Sequence, residues 1–147
     1  MAQRIIVCSS EQHAVRAISL KFTRAGFDVK AASDVEACWT MLHRNEPPSL
    51  LILDSQLPSV PNALELVRRM NLDVQLVNLP IVILTAKRME LDEQMHLLMT
   101  HGIDQIIDKP FSPRHLLAVV NRLIVDDSDS GAPAFESINQ RESVEVV

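Results

Sequence analysis

Five short apolar runs alternate along the chain with longer stretches in which apolar residues recur every three or four positions. The runs lie at residues 4–8, 27–31, 50–54, 81–85 and 105–107. Short apolar runs are typical of buried strands, and the three- and four-residue spacing is typical of amphipathic helices. Their alternation predicts βαβ units built around a parallel sheet.

Local signals mark where several helices begin. The segment Ser-Asp-Val-Glu at residues 33–36 matches a capping box, and Ser112 followed by Pro113 is a typical helix start. Apolar spacing predicts further helices over residues 63–70 and from Leu91 to near Gly102. Right-handed crossovers constrain such a (βα)5 chain to an α/β, doubly wound, flavodoxin-like three-layer sandwich with parallel strand order 2-1-3-4-5.

Length and charge separate a body from a tail. The 147 residues fit one domain over residues 1–125, followed by an acidic tail over residues 126–147. The tail holds six of the 19 acidic residues and one of the 14 basic residues, so the net charge of −5 lies entirely in the tail. Because it has few large apolar residues and no periodicity, the tail is expected to be disordered. Neither part has the basic patch that a direct nucleic-acid partner requires.

The composition indicates a cytoplasmic protein without a membrane partner. No apolar run approaches the roughly 18 residues of a membrane span, and the first four residues lead into a strand without a signal-peptide pattern. Cys8 and Cys38 have no metal-ligand spacing and no disulfide framework, so we expect two buried, reduced thiols.

Three chemically active side chains stand where predicted strands end. Asp54 ends the third apolar run, Thr85 ends the fourth, and Lys109 follows the fifth. The carboxyl ends of parallel strands meet at one edge of the sheet, where ligands bind. A carboxylate, a hydroxyl and an ammonium that converge there would suit a phosphoryl group held on Asp54. The alternatives are a polar strand terminus at Asp54 and a solvated surface lysine at Lys109.

Four motifs in order resemble the receiver domain of two-component response regulators. They are Leu-Ile-Leu-Asp-Ser-Gln-Leu-Pro at 51–58, Leu-Glu-Leu at 64–66, Leu-Pro-Ile-Val-Ile-Leu-Thr-Ala-Lys at 79–87 and Lys-Pro-Phe-Ser-Pro at 109–113. Each motif alone is weak, but four in order, each placed at or near the end of a predicted strand, are specific. The resemblance covers about residues 4–125.

The resemblance implies a role for each site residue. Asp54 would be the phosphoacceptor, modified by a histidine kinase or a phosphotransfer protein. Thr85 would donate its hydroxyl to a phosphoryl oxygen, and Lys109 would pair with Asp54 before transfer and with the phosphoryl group afterwards. Asp54 and the backbone carbonyl of Gln56 would serve as metal ligands.

The resemblance also implies how the signal leaves the domain. The protein would be a stand-alone receiver in a phosphorelay and not an enzyme. It would contact a downstream protein through the face between Leu91 and Ile124.

Two departures from the family bear on this function. Ser9 and Ser10 stand where the family has the acidic pair that holds Mg²⁺, and neutral hydroxyls bind this ion poorly. Magnesium binding should therefore be weakened, with Ser10 in the place of the usual acid and Glu11 as a substitute acid if the loop bends. Ile106 stands where the family usually carries an aromatic switch residue.

These departures leave an alternative open. The chain could be a phosphorylation-independent pseudo-receiver that acts as a protein–protein interaction module. A small flavodoxin-like enzyme or nucleotide binder is disfavoured, because no glycine-rich loop follows the first strand and the chain has three glycines.

Overall fold

The computed structural model describes residues 3–44, 47–58, 60–86 and 103–128. Its five strands form one parallel sheet in the order β2-β1-β3-β4-β5, as the sequence predicts. The strands are β1 Arg4–Cys8, β2 Asp28–Ala32, β3 Leu50–Asp54, β4 Ile81–Thr85 and β5 Ile103–Asp108. The fifth strand begins two residues earlier than predicted. Its register shifts between the partners of Ile81 and Val82, so polar Asp104 lies in an irregularity that interrupts the apolar run.

Four helices accompany the sheet in the part of the chain that the structure describes. They are α1 Gln12–Arg24, α2 Val35–His43, α3 Ala63–Asn71 and α4 Pro113–Ser128. The helix predicted from Leu91 to near Gly102 lies outside the described residues, as do residues 129–147 of the predicted tail. Helix α4 extends three residues beyond the boundary placed at residue 125. Among the described helices, none has the length and apolar character needed to cross a membrane.

Alternate residues of the central strands pack on opposite faces of the sheet. On one face, Ile6, Leu51 and Ile83 belong to a buried cluster with side chains of α2 and α3. On the other face, Ile52 and Val82 pack in a cluster with side chains of α1 and α4. Because both faces of β3 and β4 are covered, these strands are apolar throughout, and polar side chains become available only where the strands end.

The two cysteines lie in the core as expected. Both are free and fully buried, and the Cys8 thiol donates a hydrogen bond to the Asp34 carbonyl, with an Sγ–O distance of 3.6 Å. The pKa of Cys38 is raised by its hydrogen bond with Cys8 and by burial, so its thiol stays protonated. Cys38 is therefore not placed as a reactive thiolate.

Helix starts differ in how they are capped. The Asp34 carboxylate accepts the Ala37 N–H at 2.8 Å, so Asp34 rather than Ser33 caps α2. Asn62 caps α3 in the same way by accepting from Glu65 N–H at 3.1 Å. Glu11 occupies the cap position of α1 but its side chain accepts no capping hydrogen bond. The Glu11 carboxylate is therefore free to reach elsewhere.

A histidine–carboxylate pair joins the end of α2 to the segment after α3. His43 Nε2 lies 2.6 Å from Asp73 Oδ2, and His43 Nδ1 lies 2.9 Å from the Trp39 carbonyl oxygen. Both partners are acceptors, so the doubly protonated ring is favoured. The pKa of His43 is raised, first by the Trp39 carbonyl and then by Asp73, and the pKa of Asp73 is lowered, first by His43.

The His43–Asp73 pair should make stability depend on pH. The raised pKa of His43 stabilises the fold fully below its ordinary value of 6.5, and this contribution is lost as pH rises through the native pKa. The lowered pKa of Asp73 stabilises the fold above its ordinary value of 3.8, and this contribution is lost as pH falls. We therefore expect His43→Ala to destabilise most between these two values, measured by urea unfolding across pH.

His13, which is exposed on α1, supplies the control. His13→Ala should leave this part of the pH profile unchanged. An identical loss of stability at pH 5 and pH 9 for His43→Ala would contradict the assignment.

Candidate functional site

The carboxyl ends of β1, β3, β4 and β5 bring the predicted side chains to one edge of the sheet. Asp54 is the last residue of β3 and is 1% exposed. It pairs in register with Leu84, so fully buried Thr85 follows immediately on β4. Lys109 comes directly after β5, and its N–H donates to the Thr85 carbonyl oxygen at 2.8 Å. Because the register fixes these positions, the edge forms from the strands themselves.

Both oxygens of the Asp54 carboxylate are held by donors. Oδ1 accepts from the Gln56 N–H and from Lys109 Nζ, each at 2.9 Å. Oδ2 accepts from the Ser9 hydroxyl and from Lys109 Nζ, also at 2.9 Å. A buried carboxylate is tolerated only when paired and hydrogen-bonded. These four contacts meet that requirement and fix the orientation of the carboxylate.

Lys109 is a largely buried partner of Asp54 and not a solvated surface lysine. Its side chain is 11% exposed, and its Nζ lies 3.2 Å from Glu11 Oε2 as well as 2.9 Å from Asp54. The three protons of the ammonium thus have three carboxylate oxygens as acceptors. Lys109 thereby joins β5 to β3 and to the start of α1.

Ser9 contributes a contact that the sequence reasoning missed. Its side chain is buried, its hydroxyl donates to Asp54, and its Oγ accepts the Glu11 N–H at 3.1 Å. The parallel pairing of Cys8 with Leu53 implies this contact, because the residues that follow them, Ser9 and Asp54, must also lie side by side. Ser10 is exposed and makes no hydrogen bond with a described residue.

Gln56 has a second role at the edge. Besides its N–H bond to Asp54, its side-chain oxygen accepts the Ala86 N–H at 3.0 Å. This bond ties the loop after β3 to the residue after Thr85. The roles predicted for the Thr85 hydroxyl and for the Gln56 carbonyl oxygen stay predictions. Ile106 is half-buried against the cluster that includes Ile83.

The site residues do not fit a divalent cation in this arrangement. No group of three or more His, Cys, Asp or Glu side chains that could hold a metal occurs among the described residues. The Asp54 oxygens accept four hydrogen bonds from three donor groups, and the Glu11 carboxylate is engaged by Lys109. A metal ligand set would require Lys109 to leave the space between the two carboxylates.

Residues 5–121 match the family described as the response regulator receiver domain. The chain belongs to this family. A sequence relative is the alkaline phosphatase synthesis transcriptional regulatory protein PhoP of Bacillus subtilis (strain 168), which is 33% identical over 147 residues. The match covers 100% of this chain and 58% of that relative, so the chain spans little more than half of its length. The resemblance seen in the four motifs is confirmed.

Solved structures show the same fold. The chemotaxis response regulator CheY4 of Vibrio cholerae superposes with a TM-score of 0.74 at 21% identity, covering 84% of this chain and 99% of that chain. A CheY-like response regulator receiver domain protein from Methanospirillum hungatei JF-1 gives a TM-score of 0.77 at 20% identity, covering 89% of this chain and 100% of that chain. The chain is thus a receiver domain of two-component signalling with the flavodoxin-like arrangement.

Magnesium affinity should rise when carboxylates are restored after β1. Ser9→Asp combined with Ser10→Asp should tighten Mg²⁺ binding by about tenfold or more, or about 1.4 kcal/mol, because hard anionic oxygens are the ligands this ion prefers. Isothermal titration with MgCl₂ measures the affinities. Ser10→Asp alone should have the smaller effect, since Ser10 is exposed. Equal affinity of the wild type and the double variant would contradict this expectation.

Proposed function

We propose that Asp54 accepts a phosphoryl group from the phosphohistidine of a histidine kinase or of a phosphotransfer protein. The observation that carries the proposal is the contact of Lys109 Nζ with both oxygens of buried Asp54 at 2.9 Å. Phosphoryl transfer depends on positioning and on neutralising charge around the transferred group. A fixed carboxylate beside a fixed ammonium provides both.

The reaction exchanges one bond for another. An Asp54 oxygen forms the new O–P bond while the N–P bond of the phosphohistidine breaks, and the leaving imidazole takes a proton from water. Lys109 then neutralises the phosphoryl oxygens, and the Thr85 hydroxyl donates to one of them. The Gln56 N–H, already on Asp54 Oδ1, holds the carboxyl group in place during this exchange.

The output of the domain is proposed to be a protein contact. The face between Leu91 and Ile124 would carry it. Its described part comprises β5 and α4 as far as Ile124, whereas residues 91–102 lie outside the described residues. Lys109 follows β5 directly, so a change at Asp54 is transmitted first to this side of the sheet. In this proposal the domain signals by binding and is not an enzyme, and its partners are proteins rather than nucleic acid or membrane.

A second candidate is the pseudo-receiver, which binds partners without phosphorylation. The observation that favours it is the hydrogen bond from Ser9 to Asp54 Oδ2, which completes a fully occupied resting carboxylate. In this case the Asp54 carboxylate would only link the strands and would not accept a phosphoryl group. Phosphorylation and partner binding must therefore be measured on the same variants.

Asp54→Asn should abolish labelling by a phosphodonor, because an amide oxygen is a far poorer nucleophile than a carboxylate. Lys109→Ala should slow labelling by about tenfold or more, since no ammonium would balance the phosphoryl charge. Intact-protein mass spectrometry after incubation with a histidine kinase measures both effects. Asp28→Asn, at the start of β2 on the opposite edge of the sheet, is the matched control and should label normally.

Partner binding separates the two candidates. If the wild type takes no label while Asp54→Asn keeps full binding in a pull-down, phosphorylation is excluded and the pseudo-receiver is the function. If label appears on the wild type and is lost in Asp54→Asn, the phosphoacceptor role holds.

A further inference from the structure

We infer that phosphoryl transfer to Asp54 runs without a divalent metal ion, because the Lys109 ammonium and the Ser9 hydroxyl do the work of neutralising and holding the carboxylate. This inference rests on the proposed phosphoacceptor role of Asp54. The proposed function states that Asp54 is phosphorylated, and the inference states that this reaction needs no metal ion, so the inference can fail while the proposed function holds.

Lys109 is already the cation of the site. Its Nζ lies between Asp54, at 2.9 Å from both oxygens, and Glu11, at 3.2 Å. All three ammonium protons have carboxylate acceptors, and the side chain is 11% exposed. A divalent ion entering this space would be repelled by the ammonium. It would also have to displace Lys109 from the Asp54 and Glu11 oxygens. The ammonium could then replace these acceptors with water only by moving.

Ser9 is a hydrogen-bond donor to Asp54, whereas a carboxylate in its place would be an acceptor. Its Oγ accepts the Glu11 N–H at 3.1 Å, and its single proton is directed to Asp54 Oδ2 at 2.9 Å. A carboxylate here would place a second acceptor against Asp54, and the two could stay together only with a cation between them. With a hydroxyl donor in that place, Asp54 and its neighbour attract each other directly. The site therefore lacks the concentration of negative charge that makes a dication necessary.

The contacts also indicate which oxygen reacts. The Gln56 N–H is a backbone donor on Oδ1 and cannot leave without moving the loop, whereas the Ser9 hydroxyl on Oδ2 rotates about its Cβ–Oγ bond. Oδ2 is thus freed most easily. It forms the O–P bond as the P–N bond of the donor breaks, and the leaving amine takes a proton from water. Ser9 and Lys109 then donate to the phosphoryl oxygens in place of Oδ2.

The test uses the full chain and phosphoramidate as a small P–N phosphodonor. Labelling is followed by intact mass in one buffer with EDTA and in a second with millimolar MgCl₂. We expect the two rates to agree within about twofold for the wild type. A rate that falls by about tenfold or more in EDTA would overturn the inference while leaving Asp54 as phosphoacceptor. Absence of label in both buffers would overturn the proposed function and the inference with it.

Variants at Ser9 identify its part in this behaviour. Ser9→Ala should slow labelling equally in both buffers, whereas Ser9→Thr, which keeps a hydroxyl, should restore it. Ser33→Ala, an exposed serine in the loop after β2, is the matched control and should label normally. Ser9→Asp should make labelling depend on Mg²⁺, because two facing carboxylates then need a cation. If labelling of Ser9→Ala equals that of the wild type, Ser9 has no part in the reaction and the inference fails.

A second readout does not depend on labelling. In a MgCl₂ titration followed by amide NMR, the signals of Ser9, Gln56 and Lys109 should show no saturable shift in the wild type. A saturable shift of these amides would show that a metal enters the site and would overturn the inference. Circular dichroism shows whether Ser9→Asp is folded, and the wild-type titration decides the point if it is not.

Discussion

The contact between Lys109 and Asp54 is the interaction on which the site depends. It joins the end of β3 to the residue after β5, across β4, and it can form only if the strands take the order observed. Asp54 is 1% exposed, so its charge must be compensated inside the protein. Loss of one partner from a buried pair leaves an uncompensated charge, which typically costs about 3–5 kcal/mol. The sheet topology and the chemistry of the edge therefore stabilise each other.

Much of the fold can be predicted from the sequence, because the central strands β1, β3 and β4 are apolar on both faces and the helices on one. The runs that became β3 and β4 leave no alternative to burial, and their ends put Asp54 and Thr85 at one edge. The details that the sequence does not predict correctly are the cap of α2 and the start of β5. Asp34 and Ser33 can both cap a helix, and only the backbone geometry selects Asp34. The early start of β5 could not be predicted, because the register shift beside Asp104 leaves no sign in the composition.

The site was predictable in its charges but not in its hydrogen bonds. The sequence alone shows Asp54 and Lys109 as a carboxylate and an ammonium at strand ends, and opposite charges at one edge of a sheet are expected to pair. Ser9 carries no charge, so sequence reasoning counted it as the loss of an acid. Its hydrogen bond to Asp54 depends on the direction of one hydroxyl, which the Glu11 N–H sets from the other side. Glu11 reaches Lys109 because it does not cap α1 with its side chain, a choice that no local pattern reveals.

Polarity at the end of β1 determines what kind of cation the edge can use. An acid at this position adds negative charge beside Asp54 and favours a mobile, strongly charged ion. A hydroxyl adds a donor instead, and a single ammonium is then sufficient to balance the pair of carboxylates near it to a net charge of −1. Lys109 is suited to this task because its backbone N–H is fixed to Thr85 while its Nζ is shared by Glu11 and Asp54. The fold thus fixes which positions meet, and the residue type at one of them decides whether the charge is balanced by a bound ion or by the chain itself.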